Sequence, residues 1–548
     1  MNQVNLRPAL RSAALLAALW GAALCFSQSP KFYELGQPAV TEPQVASLAA
    51  DFQLVEKLDD TGNPTGIFVL GDGSVRGVFQ GGVAQFMPDL KVARRAPTVA
   101  DAKALAMQFC DKFGLFTDEP FQITEVTGWS KQPATPDKLG GRSIVLRNVR
   151  FARFYDGREV MGPSSRLNVL VDSAGGVGVL DSIRPLIPSN LVPRLKTPYQ
   201  IEEEFKIAAN DYCDMLYEVL GRRQVYWEQG SRYVQPAWMY TVKFWALDGQ
   251  TITDTILIPM ATNAPEPIMH YPADGLPRRQ EGFGDFNPIA PNLPAVQSPT
   301  LDSLFGPLAS ANPVQIGEYI VRNDHSCWLQ DAQQFWSQLY LGRFVTQWFH
   351  NPVNRRDYWW NYVWLWHADG GIPDYSRYYV GQDHYVLIEG HGGQWLITSL
   401  GAGGDIIRLK NITGYGTHAV AGEKTCYIQW QSCLVIPRPG TPYGYDYQSP
   451  DNWSTVWWSI FKGMRGTYGY NTLMRICNGV SSLHGYRMGL GFPNLSSWLY
   501  STDNGVFGHS SGLDYASAVL VSGHENDTIY QTSQLPPPGS LTIWWTHP

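Results

Sequence analysis

Apolar positions change their period several times along this chain, and the changes mark out its elements. Residues 28–50 show no regular pattern and read as a loose leader. From 51 onward "DFQLVEKLDD" and "PTGIFVLGDGSVRGVF" read as strands broken by glycine turns. "TVADAKALAMQFCDKFG" has helical spacing, with Thr98 and Asp101 as start signals and Gly114 as the stop. Residues 143–186 alternate like a meander whose hairpin turns are "YDGRE" and "DSAGGV". The order then recurs. "PYQIEEEFKIAANDYCDMLYEVLG" reads as helix, and "QPAWMYTVKFWALDGQTITDTILIPM" as strands about a turn. Both helices carry similar pieces, "MQFCDKFG" and "NDYCDMLY", which suggests a duplication; the alternative is that helix-then-meander is a common unit.

Periodicity then disappears in a Pro- and Gly-rich stretch that reads as a linker, with "LPRRQ" (Leu276–Gln280) a target for trypsin-like proteases if exposed. Beyond it the pattern is different. "CWLQDAQQFWSQLYLG" is helical, "HYVLIEG" and "KTCYIQWQSC" read as short buried strands, and "STVWWSIFKGMRGTYGY" and "GVFGHSSGLDYASAVL" read as helical in part. Strands separated by longer, partly helical segments predict an α/β domain with a mostly parallel sheet. The expected layout is a signal segment at 1–27, α+β modules at 28–190 and 191–262, a linker at 263–300 and an α/β domain at 301–548.

Composition narrows the class. With 44% hydrophobic and 16% charged residues the chain has enough apolar material for sizeable cores. The net charge of −7 argues against nucleic acid as a partner. Arg7 and Arg11 precede the apolar run "SAALLAALWGAALCF", which is short for a membrane span and fits a signal-peptide core; a lipid-modified Cys25 or an uncleaved anchor is the alternative. The mature chain is then expected to be secreted, periplasmic or on the cell surface, without a stable membrane span. Six cysteines remain beyond Cys25, an even count that suggests three disulfides in an exported protein. Cys110 and Cys213 could pair or be buried helix cysteines. Cys426 and Cys433 are an odd number of positions apart, so on one strand they face opposite ways. Cys426 is therefore expected to pair with Cys477 or Cys327.

Two strand ends carry the candidate chemistry. One strand stops at Glu389-Gly390-His391-Gly392-Gly393, the other at Gln431-Ser432-Cys433. In a parallel sheet the carboxyl ends of neighbouring strands share one edge, where α/β sites form. His391 there could deprotonate the Cys433 thiol, and the Gly392 or Gly393 amide could hold an oxyanion. The bland readings are a structural turn histidine and a disulfide cysteine. Loop carboxylates in "GHENDT" (Gly523–Thr528) could hold calcium, but no metal or other cofactor is assigned. The tryptophans of "DYWWNYVWLW" and "LTIWWTHP" could line a peptide- or glycan-binding face, or be core.

"VLIEGHGG" followed by "YIQWQSC" resembles the signature of the caspase-hemoglobinase fold, shared by caspases, legumains, gingipains, clostripain and separase. Gln431-Ser432-Cys433 is similar to the Gln-Ala-Cys of caspases. The match is closer still to the uncharacterised DUF6345-type family, through Asp331-Ala332, Gly390-His391-Gly392, Cys433, and Leu483-His484 before Gly491-Phe492. The preceding modules weakly resemble PepSY and cystatin-like units. The resemblance implies a three-layer α/β/α domain and a cysteine endopeptidase acting on a peptide or protein through His391 and Cys433. The N-terminal region would be a propeptide or targeting module. The alternative is a non-catalytic binding or surface protein on the same scaffold. No specificity residue is identifiable beyond the candidates Asp446, Asp451 and Asp503, and the sequence does not give the oligomeric state.

Overall fold

The computed structural model describes residues 29–268 apart from 93, 117–119, 211–215 and 246–250. It also describes residues 313–548 apart from 322–325, 348–349, 360–378, 399–405, 410–411, 413 and 440–451. The expected signal segment, Cys213, most of the linker, Asp446, Asp451 and most of "DYWWNYVWLW" lie outside the described residues.

Local signals explain most of the first half. Helix α1 (Glu42–Asp51) begins at a capping box in which the Thr41 N–H donates to the Gln44 side chain at 2.9 Å. This corrects the reading of 28–50 as patternless. Helix α2 (Val99–Phe113) starts and stops where expected: the Asp101 N–H donates to Thr98 Oγ1 at 3.2 Å, and Gly114 takes the left-handed conformation at φ 61°. Its apolar face packs on strands β1 (Phe121–Thr135), β2 (Ser143–Tyr155), β3 (Arg166–Asp172) and β4 (Gly175–Asp181). The expected Asp-Gly hairpin closes β2 onto Arg158–Met161, with positive φ at both Asp156 and Gly157.

Helix α3 (Pro198–Asn210) ends earlier than its pattern suggests. "LYEVLG" instead starts β5 (Leu216–Trp227), which forms an antiparallel sheet with β6 (Tyr233–Trp245) and β7 (Thr251–Pro259). Long-range pairing to β6 overrides the local helical preference.

The second half follows the expected α/β plan. Its described elements are β8 (Val314–Ile320), α4 (Ser326–Val345), β9 (Val353–Trp359), β10 (Tyr385–Glu389), β11 (Tyr427–Gln431), α5 (Asn452–Ile460), β12 (Gly466–Tyr470), α6 (Val480–Gly489), α7 (Asn494–Asp503), β13 (Ala516–Val521) and β14 (Leu541–His547). The strands lie in the order β9-β8-β10-β11-β12, all parallel, followed by antiparallel β13 and β14. Of "GVFGHSSGLDYASAVL", read as helical in part, residues Ser510–Gly512 form a short 3-10 helix and the end forms β13. Alternate strand residues face two different cores, as the two-residue period requires. Tyr385, Leu387 and Tyr427 share a core with α4, α6 and α7, while Val386, Ile388, Ile428 and Trp430 share one with α5. The protein is thus mixed α/β, with a large mixed sheet and seven α-helices among the described residues.

The sheet does not stop at the expected boundary near 300. Strand β14 pairs antiparallel with β1, from Leu541↔Ala134 to His547↔Gly128. Through β1, β2, β3 and β4 the ladder continues into Val83–Phe86 and beyond. Trp544 and Trp545, one half of the expected binding face, are therefore buried within the shared sheet. Polar groups fasten the same interface. Asp503, at the end of α7, accepts from Trp129 Nε1 (2.7 Å), Asn148 Nδ2 (2.9 Å) and Thr127 Oγ1 (3.3 Å), and pairs with His509 Nε2 at 2.6 Å. Arg150 donates to the Asp503 carbonyl, one of those the end of α7 leaves unsatisfied, and Arg166 donates to the carbonyls of Asn504, Gly505 and Val506 just beyond it. Among the described residues no helix is long and apolar enough to cross a membrane.

Candidate active site

In a doubly wound sheet, ligands bind outside the carboxyl ends of the strands, where the strand order reverses. Here that reversal falls between β8 and β10, and the chain leaving β10 at that edge reaches His391. Strands β10 and β11 are parallel neighbours in unbroken register, from Tyr385↔Tyr427 to Glu389↔Gln431. They therefore end level, and the Gly390 N–H still donates to the Gln431 carbonyl at 3.4 Å. The segments bearing His391 and Cys433 leave the sheet side by side.

Beyond that point they diverge. His391–Gly393 starts a small antiparallel sheet with Leu396–Thr398 and Ile406–Arg408. Neither Gly392 nor Gly393 has a positive φ, so a turn conformation is not what calls for glycine. At 392 the reason is proximity: a Cβ there would stand 2.8 Å from Ser432 Cβ and closer still to the Cys433 carbonyl oxygen. On the other strand Leu434, just after Cys433, is held at φ 57°, a conformation a branched side chain rarely adopts. Its N–H donates to the Thr472 carbonyl at 3.0 Å.

Cys433 is fully enclosed, whereas His391 is half-buried. Cys433 is buried and retains its thiol, and its sulfur accepts the Met474 N–H at 3.1 Å. Burial pushes this thiol up from its ordinary value and pulls the His391 imidazole down to about 4. At neutral pH the closed protein therefore holds a neutral thiol and a neutral imidazole. The Trp328 ring stands edge-on to His391, with centroids 5.6 Å apart. Trp328 follows Cys327, which is disulfide-bonded to Cys477.

That disulfide corrects the cysteine expectations. Among the described residues Cys110, Cys426 and Cys433 are thiols. Cys426 precedes β11, at the opposite end of the strand from Cys433, and its thiol donates to the Lys424 and Thr532 carbonyls at 3.3 and 3.2 Å. Asp503 belongs to the interface with β1 and β2, which removes it as a specificity candidate. In "GHENDT", Asp527 pairs with Arg465 and His524. Among the described residues no three His, Cys, Asp or Glu side chains are grouped so as to hold a metal.

A buried polar chain beside the site was not anticipated as such. The Tyr385 hydroxyl donates to Gln429 Oε1 (2.7 Å) and lies 3.1 Å from His484 Nε2. Gln429 Nε2 donates to Gln431 Oε1 (3.3 Å), and Gln431 Nε2 to Asp331 Oδ2 (3.1 Å), which also accepts from the Ser481 hydroxyl at 2.8 Å. Burial lifts Asp331 to about 6 and raises Glu389 well above the usual carboxylate range. The sequence did hold a signal: "YIQWQ" places two glutamines at alternate positions of a strand that is otherwise apolar.

No family model matches the chain, and no curated protein matches it. Among solved structures, the Bacillus megaterium YpeB C-terminal domain is similar over 41% of this chain and 95% of its own, at 11% identity and a TM-score of 0.23. A likeness at that level carries no argument about fold or function.

Proposed function

We propose that this protein is an exported cysteine endopeptidase of the caspase-hemoglobinase type, in which Cys433 and His391 form the catalytic dyad. One observation carries the reading: β10 and β11 are parallel, adjacent and level at their carboxyl ends, with Gly392 against the Ser432–Cys433 backbone. In this account Cys433 Sγ attacks the scissile carbonyl carbon while His391 takes the thiol proton. His391 then returns that proton to the leaving amine, and water hydrolyses the thioester. The backbone amides at Gly392 or Gly393 supply the oxyanion donors. The N-terminal half acts as a propeptide or targeting module in this reading.

A second reading has its own support. Cys433 is buried in the core with its sulfur engaged by the Met474 N–H, which favours a non-catalytic scaffold; on this reading the protein binds peptide or glycan. Peptide-library hydrolysis by the full-length protein, as wild type and as Asp254→Asn, which removes a carboxylate bound to Arg475 of the segment over Cys433, separates the two. The enzyme reading expects new amino termini that vanish in Cys433→Ala and form about 100-fold or more slowly in His391→Ala. Turnover that survives Cys433→Ala sinks it.

A further inference from the structure

The segment 472–478 lies over Cys433, and the N-terminal half of the chain holds it there. Three contacts attach it to the site: the Met474 N–H to Cys433 Sγ, the Thr472 carbonyl to the Leu434 N–H, and the disulfide from Cys477 to Cys327, next to Trp328. Its outward contacts reach β7 and the core beneath α3. Leu473 packs against the cluster of Ile201, Phe205 and Tyr240. Arg475 is fully buried and donates from Nε to Asp254 of β7 at 3.0 Å and from its guanidinium to Asp514 at 2.7 Å. Asp514 also accepts the Arg475 N–H (2.8 Å) and Asn478 Nδ2 (2.9 Å).

A buried guanidinium must keep its carboxylate partners, because an unpaired charge in the interior is strongly destabilising. Asp514 sits on the same half of the molecule as the segment, whereas Asp254 comes from the other half. Removing β7 would take the Asp254 contact from Arg475, leaving Asp514 as its carboxylate partner, and would take from Leu473 the β7 side of its pocket. The covalent anchor at Cys477 would remain, so the segment would swing away as a flap while staying attached.

We propose that residues 472–476 are an autoinhibitory cover on Cys433, latched shut by Asp254 through Arg475 and pegged by Leu473. The proposal rests on the reading of Cys433 as the nucleophile. It assigns the N-terminal half a specific task, which is to hold the nucleophile out of reach of substrate until β7 is displaced.

The test is iodoacetamide labelling of the native full-length protein, with adducts on each cysteine quantified by peptide mapping. Cys110 and Cys426 are buried thiols far from the latch and report any general loosening. Asp254→Asn keeps the shape and removes the charge, and is expected to speed Cys433 labelling at least about tenfold while Cys110 stays protected. Leu473→Ala leaves every charge in place and gives an independent second arm with the same expected outcome. A Cys433 rate unchanged in both variants, or one that rises only in step with Cys110, overturns the latch. Labelling does not require turnover. A selective rise without hydrolysis would uphold the cover and reject the peptidase, and hydrolysis by variants with unchanged labelling would do the reverse.

Discussion

Gly392 and Cys433 are held backbone against backbone at the level ends of two parallel strands, with no room for a methyl group between them. Gly392→Ala must push the two strand ends apart. The expected cost is about 1–3 kcal/mol of stability, as for other overpacked sites. Denaturant unfolding should show it, and a hydrolytic activity should fall further than stability does. Wild-type stability in this variant would mean that the two ends are not pressed together.

Asp503 gathers donors from both halves of the molecule. Asp503→Ala leaves Trp129 Nε1 and Asn148 Nδ2 without their acceptor in the buried interface. A loss of about 3–5 kcal/mol is expected in urea titration. A loss under about 1 kcal/mol would show that the interface does not depend on this carboxylate.

The shared sheet changes what cleavage of the linker can do. Trypsin cutting at "LPRRQ" should give two pieces that still elute together at the size of the intact chain, because β14 remains paired with β1. Separation of the pieces under native conditions would contradict that pairing. If the N-terminal half is a propeptide, its release thus needs more than a cut.

His484 is buried against Tyr385, and burial pulls its imidazole down to about 3. The unfolded chain binds that proton below about pH 6.5, while the folded one does not until near 3. The stability tied to neutral His484 is therefore fully present above that unfolded value and is lost as pH falls, by about 1.4 kcal/mol per pH unit. Urea titrations of wild type and His484→Gln at pH 7 and pH 5 should show the stability gap between them narrowing by about 2 kcal/mol at the lower pH. A gap independent of pH would show that the ring is not held neutral.

How much of this was legible depends on the range of the interactions. The cap at Thr98, the stop at Gly114 and the Asp156-Gly157 hairpin follow from neighbours in sequence, and each was readable. The buried runs 385–388 and 427–430 likewise marked two interior strands, but that they are neighbours is set by the sheet order and was not readable. The fate of "LYEVLG" was not readable, because pairing with β6 decides it. The same holds for β14: its burial depends on β1, some 400 residues earlier in the chain, and "LTIWWTHP" alone looks as much like a binding face as a core strand. Asp331 and His484 were visible only as residues of a resemblance. Their link through Gln431, Gln429 and Tyr385 needs the register of β10 against β11.

The most direct test of the dyad is chemical trapping. A peptidyl acyloxymethyl ketone, applied to the full-length protein carrying Asp254→Asn so that the cover is released, should form a thioether that peptide mapping places on Cys433. The adduct should be absent after Cys433→Ala and form at least about 100-fold more slowly after His391→Ala. An adduct on another residue, or a His391→Ala protein that reacts as fast as its parent, would contradict the account.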